Sequence, residues 1–267
     1  MEFSINDLKK LYKPPQDSHK GQNGRLLIIG GSELFHSASL WSLTVASRIV
    51  DLVHYSSVPD NNEMVRQAKE QFHNGIVVPR MEVDSYIDED DCILIGPGMT
   101  RDEETRELTN RLLKQHPHKQ WVIDAGALQM MDVSLIPKNA ILTPHSREFL
   151  QAFHEDFKSP HVVENVAKKH NCIITLKGEK DIVSDGEQTF EITGGNVGMT
   201  KGGTGDVLAG LVAALACKND PLLAACAGSL INKQAGDSLY QKVGPYFNAT
   251  DLAGEIPVVM KRLLFDL

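Results

Sequence analysis

Residues 198–206 read Gly198-Met199-Thr200-Lys201-Gly202-Gly203-Thr204-Gly205-Asp206 and run straight into the apolar stretch Val207 to Ala216. That stretch is apolar all round, which predicts a buried helix. Gly202, Gly203 and Gly205 let the backbone turn tightly and bring bare N–H groups to the helix start. Such a start carries roughly half a positive charge and about four unpaired donors, so it favours an anion. A carboxylate beside a bound phosphate is repelled by it, so Asp206 calls for a task, such as taking a proton from an attacking hydroxyl. The competing reading is that Asp206 caps the helix. The glycines immediately ahead of it favour phosphate handling, with Gly202, Gly203 and Gly205 as nucleotide contacts.

Composition bounds the rest. The chain has 267 residues, 42% of them hydrophobic, enough for one large domain or two small ones. Strand-like and helix-like segments alternate without a low-complexity linker, so a single α/β domain over residues 1–267 is expected. Lys and Arg number 27 against 35 acids, a net charge of −8. That balance argues against a nucleic-acid partner, yet backbone amides can still bind a local phosphate. Cys92, Cys172, Cys217 and Cys226 include no C-x-x-C pair, so a zinc site is not expected and a reducing compartment is. Residues 1–18 lack the apolar core of a signal peptide. No stretch approaches the roughly 18 apolar residues of a membrane helix. The expectation is a cytoplasmic protein with no membrane partner.

Upstream of the glycine loop, an apolar strand followed by a polar or glycine-rich loop recurs. Leu26–Ile29 meets Gly30-Gly31-Ser32, Cys92–Ile95 meets Gly96-Pro97-Gly98, and Trp121–Ile123 meets Asp124-Ala125-Gly126. Ala140–Leu142 meets Thr143-Pro144-His145, and Cys172–Leu176 meets Lys177-Gly178. Parallel α/β sheets bind ligands outside the carboxyl ends of their strands, so Asp124, His145, Glu148, Lys177 and Asp206 form a candidate set. His145 is read as a substrate contact, with a structural hydrogen-bonding role as the close second. Asp185-Gly186 predicts a β-hairpin leading to the glycine loop. Helices are expected over about 37–50, 207–216, 221–239 and 249–264.

Several chemistries are excluded. The chain lacks G-x-x-x-x-G-K-[ST] and G-x-S-x-G, and Arg101 stands where a dinucleotide fingerprint after Gly96 needs its third glycine.

Taken in order, these segments resemble the ribokinase-like superfamily and, within it, the ADP/ATP-dependent NAD(P)H-hydrate dehydratases. The resemblance runs from Lys20 to about Pro257, carried also by Gly195-Asn196, Ala235-Gly236-Asp237 and Asp251-Leu252. It implies a three-layer α/β/α fold with a mostly parallel central sheet and helices on both faces. It implies a repair lyase that uses ADP or ATP with Mg²⁺ to phosphorylate the ring hydroxyl of hydrated NADH or NADPH. Phosphate then leaves and the dihydronicotinamide is restored. By position, Ala38, Gly98, His145 and Asp206 correspond to hydrated-cofactor contacts, and Asp206 to the catalytic base. Lys177, Gly178, Glu179, Lys180, Asp181 and Gly205 correspond to the adenine-nucleotide site, and Glu148 to a carboxylate near magnesium. A homo-oligomer is the family habit, and any epimerase would be a separate protein.

The chain departs from the pattern at Gly126, where a second aspartate is usual, at Thr100, at Ser146-Arg147 and at Asp181. Two other readings stand beside the dehydratase. One is a ribokinase-like kinase for a small hydroxymethyl compound; the other is a non-catalytic nucleotide-binding protein.

Overall fold

The computed structural model describes residues 1–67 and 74–266. The elements in chain order are β1 (Arg25–Ile29), α1 (His36–Ala46), β2 (Leu52–Ser56), α2 (Pro59–Gln67), β3 (Ile76–Val77), α3 (Val83–Glu89), β4 (Cys92–Ile95), α4 (Glu103–Gln115), β5 (Gln120–Ile123) and α5 (Ala125–Met130). They continue as β6 (Ile141–Leu142), α6 (Ser146–Phe153), α7 (Pro160–His170), β7 (Ile173–Leu176), β8 (Asp181–Ser184), β9 (Thr189–Ile192), α8 (Thr204–Ala216), α9 (Pro221–Val243) and α10 (Ala249–Phe265).

The strands form one nine-stranded sheet in the order β3-β2-β1-β4-β5-β6-β7-β8-β9. β1 to β7 are all parallel, and β8 and β9 add an antiparallel hairpin at one edge. The central strands are buried on both faces, which is why they read as continuous apolar runs rather than alternating ones. Leu26 and Ile28 of β1 face a core shared with α1, α8, α9 and α10, whereas Leu27 and Ile29 face one shared with α3 to α7. Three layers result.

α8 is buried at every position from Val207 to Ala216, as its unbroken apolar run predicts. Gly210 lets it approach α1 closely, since a Cβ there would lie 2.6 Å from the Ser42 Cα. The helix expected over about 37–50 ends earlier, at Ala46, and α9 extends to Val243. No described helix is long and apolar enough to cross a membrane.

Parallel strands place all their carboxyl ends along one edge of the sheet. Gly30, Gly96, Asp124, Thr143 and Lys177 therefore share that edge, although the sequence scatters them.

Candidate active site

Lys177, just past β7, is the centre of the cluster. Its Nζ donates to Asp124 Oδ1 at 2.9 Å and lies 3.9 Å from Glu148 Oε2. Thr143 Oγ1 donates to the same Asp124 oxygen at 2.8 Å, so that carboxylate is fixed from two strands. Burial alone would lower the Lys177 pKa, but Asp124 and then Glu148 outweigh it and raise it above the ordinary lysine value.

Asp206 enters from the first turn of α8. Its backbone carbonyl accepts from Ser42 Oγ of α1 at 2.7 Å, which sets the depth of the helix start. A Cβ on Gly205 would lie 3.5 Å from Lys177 Nζ, so the α8 amino end and the Lys177 ammonium face one another. Burial drives the Asp206 pKa upward, Asp124 adds to that and Lys177 opposes it; the result is about 7. A carboxylate poised near neutrality suits general-base work. Gly203 takes the cap position of α8, with no side-chain cap bond, so Asp206 is not the cap.

Gly203 is in the left-handed region, with φ of 94°. A Cβ there would also lie 2.4 Å from the Trp41 ring. Gly203→Ala is expected to destabilise the fold by about 1–3 kcal/mol through backbone strain, with the clash adding to it. A melting temperature equal to that of the parent protein would refute this account of the loop.

His145 fulfils the structural role named for it. Its Nδ1 accepts from the amides of Arg147 and Glu148 at 3.1 and 3.2 Å, while Glu148 Oε2 accepts from the His145 amide at 2.8 Å. This reciprocal box starts α6. The ring is still 49% exposed, with Nε2 3.6 Å from Glu148 Oε2. Gln129 donates to Glu148 Oε1 at 3.0 Å.

A cavity of about 570 Å³ opens beside Lys177 and the start of α8. Of the nucleotide contacts expected from sequence, Lys177, Gly178, Glu179, Asp181 and Gly205 line it. Lys180 points elsewhere and pairs with Glu191 at 3.3 Å, and Gly202 and Gly203 lie outside the lining. Asp181 is committed internally: Oδ1 accepts from the Gly178 amide at 2.9 Å and Oδ2 from Ser229 Oγ at 2.6 Å. Asn232 and Lys233 also line the cavity, and a mid-helix Asn-Lys pair gives no sequence signal for that.

Ala38 and Gly98 meet each other. A Cβ on Gly98 would lie 3.0 Å from the Ala38 Cβ and 3.1 Å from the Gly31 Cα. Ala38 sits one turn before Ser42 on the same face of α1, which carries it to the α8 start.

The departure at Gly126 has a steric cause. A Cβ there would lie 2.2 Å from the Met99 carbonyl oxygen, so no aspartate fits. Arg101 and Arg147 are exposed.

A parallel sheet with layered helices, a glycine loop at a helix start, and a carboxylate poised near neutrality beside a buried lysine define a ribokinase-like protein. Its sequence places it further. A family model described as NAD(P)H-hydrate dehydratase matches residues 26–258, and the chain belongs to that family. It is 37% identical to a bifunctional NAD(P)H-hydrate repair enzyme of Methanocaldococcus jannaschii, over 96% of this chain and 52% of that protein. The chain thus spans about half of that relative's length. It is 36% identical to an ADP-dependent (S)-NAD(P)H-hydrate dehydratase of Nitrosopumilus maritimus, over 91% of each chain. A ribokinase-like superfamily protein of Enterococcus faecalis superposes with a TM-score of 0.88 at 26% identity, covering 98% of this chain and 96% of that one.

Proposed function

We propose that the protein dehydrates hydrated NADH or NADPH back to the reduced cofactor, using ADP or ATP as phosphoryl donor. The observation that carries the reading is Asp206, raised to about 7 in the first turn of α8, next to Gly205 and Thr204, which line a cavity of about 570 Å³. The ADP-dependent dehydratase name of the Nitrosopumilus relative supports the donor, and its 91% mutual coverage supports the reaction.

In this reading Asp206 takes the proton of the ring hydroxyl as its oxygen attacks the terminal phosphorus. The nucleotide leaves one phosphate shorter. Amides at the α8 start and the Lys177 ammonium stabilise the charge on the transferring group. The ring nitrogen then expels phosphate, and loss of a ring proton restores the double bond.

Among the described residues no group of three or more His, Cys, Asp and Glu forms a ready metal cage. The donor set suits Mg²⁺ nonetheless, since that ion usually takes one or two carboxylates together with substrate phosphates. The crowding of Asp124, Glu148 and Asp206 around one lysine leaves local negative charge for a cation to offset. Glu148 is the proposed contact, and the ion would neutralise phosphate charge. The bifunctional name of the Methanocaldococcus relative fits a working partnership with an epimerase.

Incubation with hydrated NADH, ADP and Mg²⁺ tests the proposal. Recovery of dihydronicotinamide absorbance with release of inorganic phosphate is expected. A stable phosphoester on a hydroxymethyl compound, with no absorbance recovered, would replace the dehydratase by a kinase.

His145 offers a second test. Asparagine caps helices well, so His145→Asn keeps the α6 start but removes the exposed ring. The KM for hydrated cofactor should rise while the KM for ADP and the melting temperature stay near those of the parent. Equal shifts in both KM values would remove His145 from the cofactor site.

A further inference from the structure

α9 carries two charged residues that the phosphoryl-transfer centre does not use. Lys233 and Asp237 stand one turn apart and so project from one face of the helix. Lys233 is only 5% exposed. Its Nζ donates to the carbonyls of Gly178 and Glu179, each at 3.1 Å, and lies 3.2 Å from Asp181 Oδ1. Two of its protons thus have carbonyl acceptors, and the Asp181 carboxylate pairs with its charge.

Asp237 serves a second loop of the lining. Oδ2 accepts from the Gly195 amide at 3.0 Å and Oδ1 from Asn196 Nδ2 at 3.1 Å. Gly178, Glu179, Gly195 and Asn196 all line the 570 Å³ cavity, on loops from different parts of the chain. Between the two charges, Gly236 lets Met199 lie against the helix, because a Cβ would come within 2.4 Å of the Met199 sulfur. Met199 also lines the cavity.

Burying an ammonium is costly unless every proton is satisfied, and apolar residues of similar size generally pack there at no loss. Here the charges bind loop backbone and loop side chains rather than filling the core. A loop ordered before its ligand arrives removes part of the entropy cost of binding.

We propose that Lys233 and Asp237 are positioning residues for the nucleotide. α9 acts as a two-pronged brace that fixes the spacing between the 178–181 turn and the 194–199 loop, and so preorganises the cavity. The pairing of Asp181 with Lys233 gives the aspartate in the nucleotide turn its purpose. The proposal rests on the nucleotide reading of this cavity.

Calorimetric titration with ADP tests it without hydrated cofactor present. Lys233→Met and Asp237→Asn should each weaken ADP binding about tenfold or more, the usual consequence of losing charge-assisted hydrogen bonds. In turnover assays, the KM for ADP should rise while kcat and the KM for hydrated cofactor change by no more than about twofold. Lys233→Met leaves Asp181 buried and unpaired, so its melting temperature should fall. Lys233→Met with Asp181→Asn should recover the melting temperature but not the ADP affinity. A merely structural lysine would recover both, and that result overturns the proposal. ADP affinity unchanged in folded variants overturns it too. A parent protein that binds no ADP overturns the nucleotide reading itself, and the brace with it.

Discussion

Asp206→Asn is expected to lower turnover by about 10²–10⁴-fold, the range for losing a general base. Asparagine keeps the shape of the side chain and cannot accept the proton. Nucleotide binding should survive, because the amides of the α8 start and Lys177 are untouched. The pH profile carries a second signature. With a carboxyl pKa of about 7, the basic form grows through neutrality, so kcat/KM for the parent protein should rise across that pH and then level off.

Stability should move the other way. The folded pKa lies above the ordinary 3.8, so between about 4 and 7 the folded state binds the proton more tightly than the unfolded chain does. Stability is therefore lost as pH rises through that window, with a ceiling of about 4 kcal/mol for a shift of this size. Asp206→Asn removes the penalty. Its melting temperature should exceed that of the parent at pH above 7, and the gap should close as the pH falls towards 4. Near-normal turnover, or a gap independent of pH, would take Asp206 out of the mechanism.

Lys177→Met is expected to have the second largest effect. Asp124 is 2% exposed and loses its cation, and breaking such a buried pair typically costs about 3–5 kcal/mol. Catalysis should fall by about 10²–10³-fold, as for removing one donor aimed at developing charge. Lys177→Met with Asp124→Asn separates the two effects. It leaves no unpaired carboxylate, and Thr143 can still donate to the amide oxygen. Its melting temperature should recover while kcat/KM stays low. If both recover together, Lys177 serves only to hold Asp124.

Much of this site is legible in the residues. The glycines ahead of Asp206 and the unbroken apolar run after it specify a loop and a buried helix, because both signals are local. The strand-to-loop units specify a parallel sheet for the same reason, and a parallel sheet gathers its carboxyl ends. Asp124, His145, Glu148, Lys177 and Asp206 could be named as a set on that ground alone. Lys180 shows the limit of reading contacts along a motif: it follows Glu179 in sequence but turns away to Glu191. Gly126 looks like a lost aspartate, and only the Met99 carbonyl explains the glycine.

The chain by itself thus determined the parallel α/β organisation and the glycine-rich start of a buried helix, and it singled out Asp206 as the candidate proton acceptor. These follow from backbone freedom and apolar periodicity over a few residues. Tertiary packing decided the chemistry those residues can perform. Burial of Asp206 beside Asp124 sets its pKa near neutrality, Thr143 and Lys177 fix Asp124 from two strands, and Lys233 holds a turn from far along the chain. Each depends on distances between groups remote in sequence, and electrostatic energy at such distances is set by packing and dielectric rather than by residue type.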